Sequence, residues 1–422
     1  MRRNYFMVLL VLLIFFVISF VTNILDPLEP NIQASFHLSA FAAGLMPFAF
    51  FAAYGVMSIP AGILIEHFDA KPVIIGAFLL AFLGSGVFAL WPSYSVALPS
   101  LFTIAVGFAM LQVVINPLLR TAGGEEHYAF FANLSQLVFG GASFLSPHVY
   151  AYLVLHLKDA SLPRTTILRT LARVVPADLP WLSLYWVFTL ILLVMILVVA
   201  MLRVPRMELK EDERVESMAT LVALLKNRIV ILYFVGIFCY VGTEQGVAFW
   251  ISKFLETYHG VDPAQGGHSA VAGFWGLMMV GCGLGLVLLK LFDQRRILLV
   301  FGICGVITLL AGIFGSRAVA LVALPMMGFW CSVLWPIIFA LALNSIEKHH
   351  GSFAGILCTA IVGGAFLPPI IGRLGDAFGL RFGMLVLLAT LAYIIGIAFW
   401  ARPLIDNARI GKAKEAPPEG AS

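Results

Sequence analysis

Charge is what this chain has least of. Only 11% of its 422 residues are Asp, Glu, Lys or Arg, where a soluble domain carries about a quarter. The net charge of +4 is small and includes no basic run interleaved with aromatics, which excludes a nucleic-acid interface. Cysteine is sparse as well. Cys239, Cys282, Cys304, Cys331 and Cys358 stand singly in apolar segments of the second half. No pair has the spacing of a zinc site or of a disulfide framework. The nine histidines are scattered; His349 and His350 adjoin, in a hydrophilic stretch that reads as a solvated pair. Nowhere do a nucleophile, metal ligands or an acid/base pair cluster, so the chain is not expected to be an enzyme or to hold a metal or cofactor.

Apolar sequence takes the place of charge. A hydrophobic fraction of 61% and a mean hydropathy of +1.00 make this an all-α polytopic membrane protein. Twelve apolar runs are long enough to span, at about 5–27, 39–65, 72–91, 96–119, 128–155, 181–202, 229–254, 269–291, 297–315, 318–345, 352–372 and 382–401. The first lacks a small-residue cleavage site after its apolar stretch and is read as a helix that stays, not a leader. An even count puts both ends on one side of the bilayer. Arg2, Arg3, Arg203, Arg206, Lys210, Arg214, Lys226, Arg228, Arg295 and Arg296 gather on that side, and the positive-inside rule makes it the cytoplasm. One loop on the other side runs against the trend, with Lys158, Arg164, Arg169 and Arg173; within it Leu162 to Val175 suits a short interfacial helix.

The longest connection on the terminal side divides the chain. A first half over 1–203, a linker over 204–227, a second half over 228–402 and a tail over 403–422 are expected. The linker's Glu208 to Arg214 run is mixed in sign and solvated, and the Pro- and Ala-rich tail reads as disordered. Three pieces recur across the divide. Phe68-Asp69-Ala70-Lys71 returns as Phe292-Asp293-Gln294-Arg295, and Gly140-Gly141-Ala142 as Gly363-Gly364-Ala365. Asn116-Pro117 is answered by Trp335-Pro336. The order is kept and the separations agree to within a few residues. Two pseudo-symmetric six-helix bundles follow, the construction by which one repeat can rock against the other around a central site.

Polar residues inside the spans mark that site. Asn23, Asp26 and Glu29 recur along one face late in the first span. Two readings stand: an ionisable group facing a protein-lined cavity, or a polar cap on the helix end closed by Pro27 and Pro30. Gln112 and Asn116 lie one turn apart on the fourth span, and Asn133 and Gln136 open the fifth. Such amides match the donor and acceptor capacity of sugar hydroxyls, and equally serve to join helices. The seventh span holds Tyr240 and Glu244, the latter a carboxylate well inside an apolar run. Trp275, Trp330 and Trp335 offer aromatic faces, whereas Trp91 and Trp181, at span ends, read as interfacial belt. Gly44, Gly55, Gly62, Gly281, Gly283, Gly285, Gly363 and Gly364 are placed for close helix approach.

In order along the chain these pieces resemble the fucose permease branch of the major facilitator superfamily, the fucose, galactose and glucose symporters. The resemblance runs through Asn23-Ile24-Leu25-Asp26, Pro60-Ala61-Gly62-Ile63, Trp91-Pro92 and Asn116-Pro117. It continues in Asn133-Leu134-Ser135-Gln136, Phe238 to Glu244, Pro336-Ile337-Ile338-Phe339, Gly363 to Pro368, Gly372 and Asp376. It implies the two-bundle fold and cation-coupled sugar uptake. Asp26 matches the family's proton-coupling carboxylate, and Asn23 and Gln136 match substrate-contacting positions. The chain departs from the pattern at Gln112, where the family has a second membrane carboxylate, and at Leu334, Phe139 and Gly281-Cys282.

The resulting expectation is a monomeric sugar:proton or sugar:sodium symporter of a bacterial inner membrane, with lipid, sugar and cation as partners. Cation coupling falls to Asp26, Glu29 and Glu244. Substrate contact falls to Asn23, Asp26, Gln112, Asn116, Gln136, Tyr240 and Trp335. Glu66, His67, Asp69 and Lys71 form either a latch on the terminal side or a solvated turn. An uncoupled facilitator or exporter of a less polar metabolite, and a sensor that keeps the fold without transporting, are the rival readings.

Overall fold

The first span turns at Asn23, where its polar residues begin. In the computed structural model, which describes residues 5–23, 25–123, 128–159, 161–163, 165–202, 204, 218–346 and 349–403, helix α1 (Tyr5–Thr22) ends before Asn23 and α2 (Leu25–Ser35) carries the chain onward. Together they form one candidate span from Tyr5 to Ser35. The expected end near residue 27 is therefore corrected by a turn and a half or more of helix. Asp26 and Glu29 do not cap a helix end; they lie inside the span, buried. Pro27 sits in the first turn of α2, where helical N–H groups lack intrahelical partners anyway.

The remaining spans follow the expected runs closely. α3 (Ala40–His67), α4 (Ala70–Leu90), α5 (Tyr94–Gly123) and α6 (Tyr128–Lys158) come next, then the short α7 (Thr166–Val174) and α8 (Ser183–Met201). α9 (Met218–Leu225) lies within the expected linker, followed by α10 (Arg228–His259), α11 (His268–Leu291) and α12 (Gln294–Phe314). The tenth span divides into α13 (Arg317–Cys331) and α14 (Leu334–Leu343). The eleventh divides into α15 (His350–Thr359) and α16 (Gly363–Phe378), and the twelfth into α17 (Leu380–Met384) and α18 (Val386–Trp400). Among the described residues, twelve helices or helix pairs are long and apolar enough to cross a membrane. The Glu208 to Arg214 run and the tail from residue 404 lie outside the described residues.

Short polar side chains start several of these helices. Ser39 accepts from the Ala42 N–H, Asn227 from Ile229 and Asp293 from Arg295, each filling one of the free donors at a helix N-terminus. Gly260, at φ 60°, ends α10 in the left-handed conformation that suits glycine. α7 buries Leu168 and Leu171 and leaves Arg169 and Arg173 outward, so the expected short amphipathic helix is present. Trp181 corrects the belt reading: it is 1% exposed and donates to Ser35 Oγ at 3.0 Å, while Trp91 is 63% exposed.

Two six-helix bundles result. In the first, α4 and α5 pack together, with α3 on α5 and α1 on α6; in the second, α11 and α12 pack on α13, and α10 on α16 and α18. The repeated motifs do the same work in each. Lys71 Nζ donates to the Ala200 and Leu202 carbonyls at 2.7 and 2.8 Å, at the end of α8. Arg295 Nη1 donates to the Ala401 carbonyl at 3.4 Å, at the end of α18. A cation at a helix C-terminus is favoured by unfilled carbonyls and by the helix dipole.

The bundles meet along α3 with α16, α6 with α11, and α2 with α10. All three contacts reach the face opposite the termini. There Asp376, on α16, accepts from the Ala40 and Phe41 N–H groups at 2.7 and 2.8 Å. The His148 and His268 rings face each other with centroids 5.6 Å apart. Gly44 is indispensable to this closure, since a Cβ there would lie 2.5 Å from Pro369 Cα. Gly283, by contrast, faces open space and does not serve the close approach expected of it.

Candidate functional site

Asn23 and Asp26 lie on either side of residue 24, which is outside the described residues, within one candidate span. Asn23 is turned into its own bundle. Its Nδ2 donates to Ser143 Oγ at 2.7 Å and to Ser19 Oγ at 3.4 Å, and Ser19 and Ser143 hydroxyls lie 2.7 Å apart. This knot joins α1 to α6, and Ser146 extends it by donating to the Phe20 carbonyl.

Asp26 turns the other way. It is 3% exposed, and its Oδ2 accepts from Trp275 Nε1 at 3.1 Å. Trp275 belongs to α11, so this hydrogen bond crosses from one bundle to the other. Among the described residues no cation pairs with Asp26. Glu244, halfway along α10 in the second bundle, lies within electrostatic range of it. Two carboxylates within range of each other in a low-dielectric interior repel when both are ionised. A proton or cation on either one removes that repulsion.

Glu244 has its own support. Its carboxylate accepts from the Tyr240 hydroxyl, one turn back, and from Gln245 Nε2 at 3.1 Å. Tyr240 then packs against Trp335 at a centroid distance of 5.9 Å, and Trp335 stacks on Phe339 at 5.8 Å. The second bundle thus presents carboxylate, phenol and indole in series. Cys282 and Cys331 are also within range of the Glu244 charge.

Glu29 belongs to a different neighbourhood. One turn beyond Asp26 on α2, it is 0% exposed, and neither carboxylate oxygen has a hydrogen-bond partner. Lys253 and Glu256, on α10, are the charges that reach it. Those two pair with each other at 2.9 Å. Of the remaining expected residues, Gln112 is half-buried on α5. The side chains of Asn116, Gln136, Asn133, Glu66 and His67 lie outside the described residues.

Sequence reasoning reaches Asp26, Glu244, Tyr240 and Trp335 but misses their partners. Trp275 is legible only as an aromatic face, because nothing in a single sequence says that its N–H meets Asp26. Ser19 gives a weak signal by lying four residues before Asn23, on the same helical face. Lys253 and Glu256 read as an ordinary i, i+3 surface pair.

Comparison with known proteins is consistent in direction. The family model described as the Major Facilitator Superfamily matches residues 11–361. A glucose/galactose transporter of Brucella abortus is 31% identical over 399 residues, covering 93% of each chain. The L-fucose-proton symporter of Escherichia coli is 26% identical over 391 residues, covering 87% of this chain and 86% of that one. Among solved structures, the crystal structure of the transporter FucP in the outward conformation superposes with a TM-score of 0.65 at 24% identity, covering 94% of this chain and 98% of that one.

Proposed function

We propose that this chain, which belongs to the Major Facilitator Superfamily, is a secondary active transporter that takes up a hexose or deoxyhexose by proton symport. The observation that carries the reading is Asp26: a carboxylate buried inside the first span and held by Trp275 of the other bundle, within electrostatic range of Glu244. An ionised carboxylate enclosed without a cation costs several kcal/mol. A proton taken up together with substrate offsets that cost and lets the bundles close around the site. The names of the relatives, a glucose/galactose transporter and an L-fucose-proton symporter, support both the sugar and the proton.

In this reading the bundles are residues 1–203 and 228–402, joined by a linker over 204–227 and followed by a tail over 403–422. The basic residues on the terminal side support cytoplasmic termini, and the bacterial relatives support an inner-membrane location. Substrate sits between Asp26 and the Glu244, Tyr240 and Trp335 series; Gln112 and, by their sequence positions alone, Asn116 and Gln136 are assigned to the first bundle's side, while Asn23 holds α1 to α6. Tyr240 and Glu244 suit a hydroxyl that both donates and accepts. Trp335 suits the apolar face of a sugar ring.

The test is uptake of labelled D-glucose, D-galactose and L-fucose into proteoliposomes under separate proton and sodium gradients. Accumulation of one of them driven by the proton gradient is the expected result. Accumulation driven by sodium alone would replace the coupling ion. Equilibration without accumulation under either gradient would favour an uncoupled facilitator, a reading that Gln112 supports by standing where the family has a glutamate. Binding without flux would favour a sensor.

A further inference from the structure

Glu29 has no part in the sugar site, yet it is the most completely enclosed carboxylate described. It is 0% exposed and both its oxygens lack a hydrogen-bond partner. It lies where α2 of the first bundle packs on α10 of the second, toward the face that the bundles close opposite the termini. That interface has to part whenever this face opens. Opening admits water to Glu29, and closing removes it.

The groups around Glu29 do not supply what an ionised carboxylate needs. On α10, Lys253 is held by Glu256 at 2.9 Å, so the nearest cation already has an anion. Asp262, before α11, and Glu256 add negative charge within range of Tyr150 on α6, whose hydroxyl accepts from Asn31. α11 opens with His268, which faces His148 of α6. α3 brings no acidic or basic side chain before Glu66. Asp26 lies one turn away on α2 itself and is engaged with Trp275. One turn beyond Glu29 on α2, the carbonyl oxygen of Gln33 is likewise buried without a partner. Enclosing a charged carboxylate among such neighbours costs far more than enclosing a neutral carboxylic acid.

We infer that Glu29 is a second proton-binding site, separate from Asp26, which takes up a proton as the face opposite the termini closes and releases it as that face opens. It rests on the reading of the chain as an alternating-access transporter but not on Asp26 being its coupling site. Because the closed state binds the extra proton, acid favours closure. The ratio of closed to open molecules changes by up to about tenfold per pH unit where one proton is exchanged.

Spin-label distances test this. Ketoxime labels on p-acetylphenylalanine at positions 95 and 317, exposed and on opposite bundles at this face, leave the five native cysteines untouched. In the purified full-length protein in lipid, the short-distance population is expected to grow as pH falls. Glu29→Gln is expected to raise the short-distance population at high pH and flatten its pH response, while Asp26→Asn, which removes the proton site beside Trp275, still shows a pH response. Glu29→Asp, still titratable, keeps a pH response. Infrared spectra of Asp26→Asn are expected to retain a protonated-carboxyl stretch that grows with closure. Were Glu29→Gln not to fold, the Asp26→Asn arm alone would decide. Three results would overturn the inference: a wild-type pH response in Glu29→Gln, loss of the response in Asp26→Asn, or opening instead of closure in Glu29→Gln. The last would mean that Glu29 works ionised against Lys253. Failure of the Asp26 reading would show elsewhere, as gradient-driven uptake unchanged in Asp26→Asn.

Discussion

Trp275 Nε1 donates to Asp26 Oδ2 at 3.1 Å, and the two residues belong to different bundles. The site therefore reports the relative position of the bundles through a single hydrogen bond. A donor on the carboxylate supports its ionised form. Trp275→Phe keeps the ring and removes the donor. Uptake in this variant is expected to persist with a shifted pH profile. An unmoved profile measured across a pH series would show that the contact has no part in coupling.

The second bundle's contribution rests on Tyr240, which donates to Glu244 and packs against Trp335. Hydrogen bonds to charged groups are worth about 1.5–3 kcal/mol. Tyr240→Phe is accordingly expected to weaken sugar binding about tenfold, read as KM in exchange assays, with the protein still folded. Trp335→Ala is expected to weaken binding as well, and Trp335→Phe to restore most of it.

How much of this was legible beforehand depends on what each residue's signal is made of. Twelve spans could be read because apolar length is written locally, and α5, α10 and α12 begin within three residues of the expected runs. The extension of the first span to Ser35 could not, because Asp26, Pro27, Glu29 and Pro30 look like a helix end to any local rule. Only packing against α10 makes burial of so polar a segment intelligible. Trp181 misled for the same reason: its place at a span end says belt, while a partner far along the chain, Ser35, buries it. Asp26 and Glu244 stood out because an ionisable group in an apolar run is conspicuous. The Trp275 contact did not, since it joins residues in different halves.

Asp376 reaches from α16 onto the first two N–H groups of α3. A carboxylate at an exposed helix N-terminus contributes about 1 kcal/mol. Asp376→Ala is expected to shift the balance toward opening of this face about fivefold, seen as faster modification of a thiol placed between α3 and α16. Glu at this position is expected to restore part of the closure.

Gly363, like Gly328 against Phe274, permits a very close backbone approach within the second bundle, where a Cβ would come 2.0 Å from the Phe238 carbonyl oxygen; Gly396 faces open space. Gly363→Ala is expected to destabilise the protein by about 1–3 kcal/mol through overpacking, and Gly396→Ala to leave the melting temperature in detergent unchanged or slightly raised.

The central claim is that Asp26 couples sugar movement to a proton. Its most direct test compares two assays on Asp26→Asn in proteoliposomes: accumulation of labelled sugar under an imposed proton gradient, and exchange of internal for external sugar without one. The account predicts that accumulation is lost while exchange continues, because the neutral site still binds sugar and still lets the bundles rock. Accumulation equal to that of the wild type would contradict it and move the coupling away from Asp26.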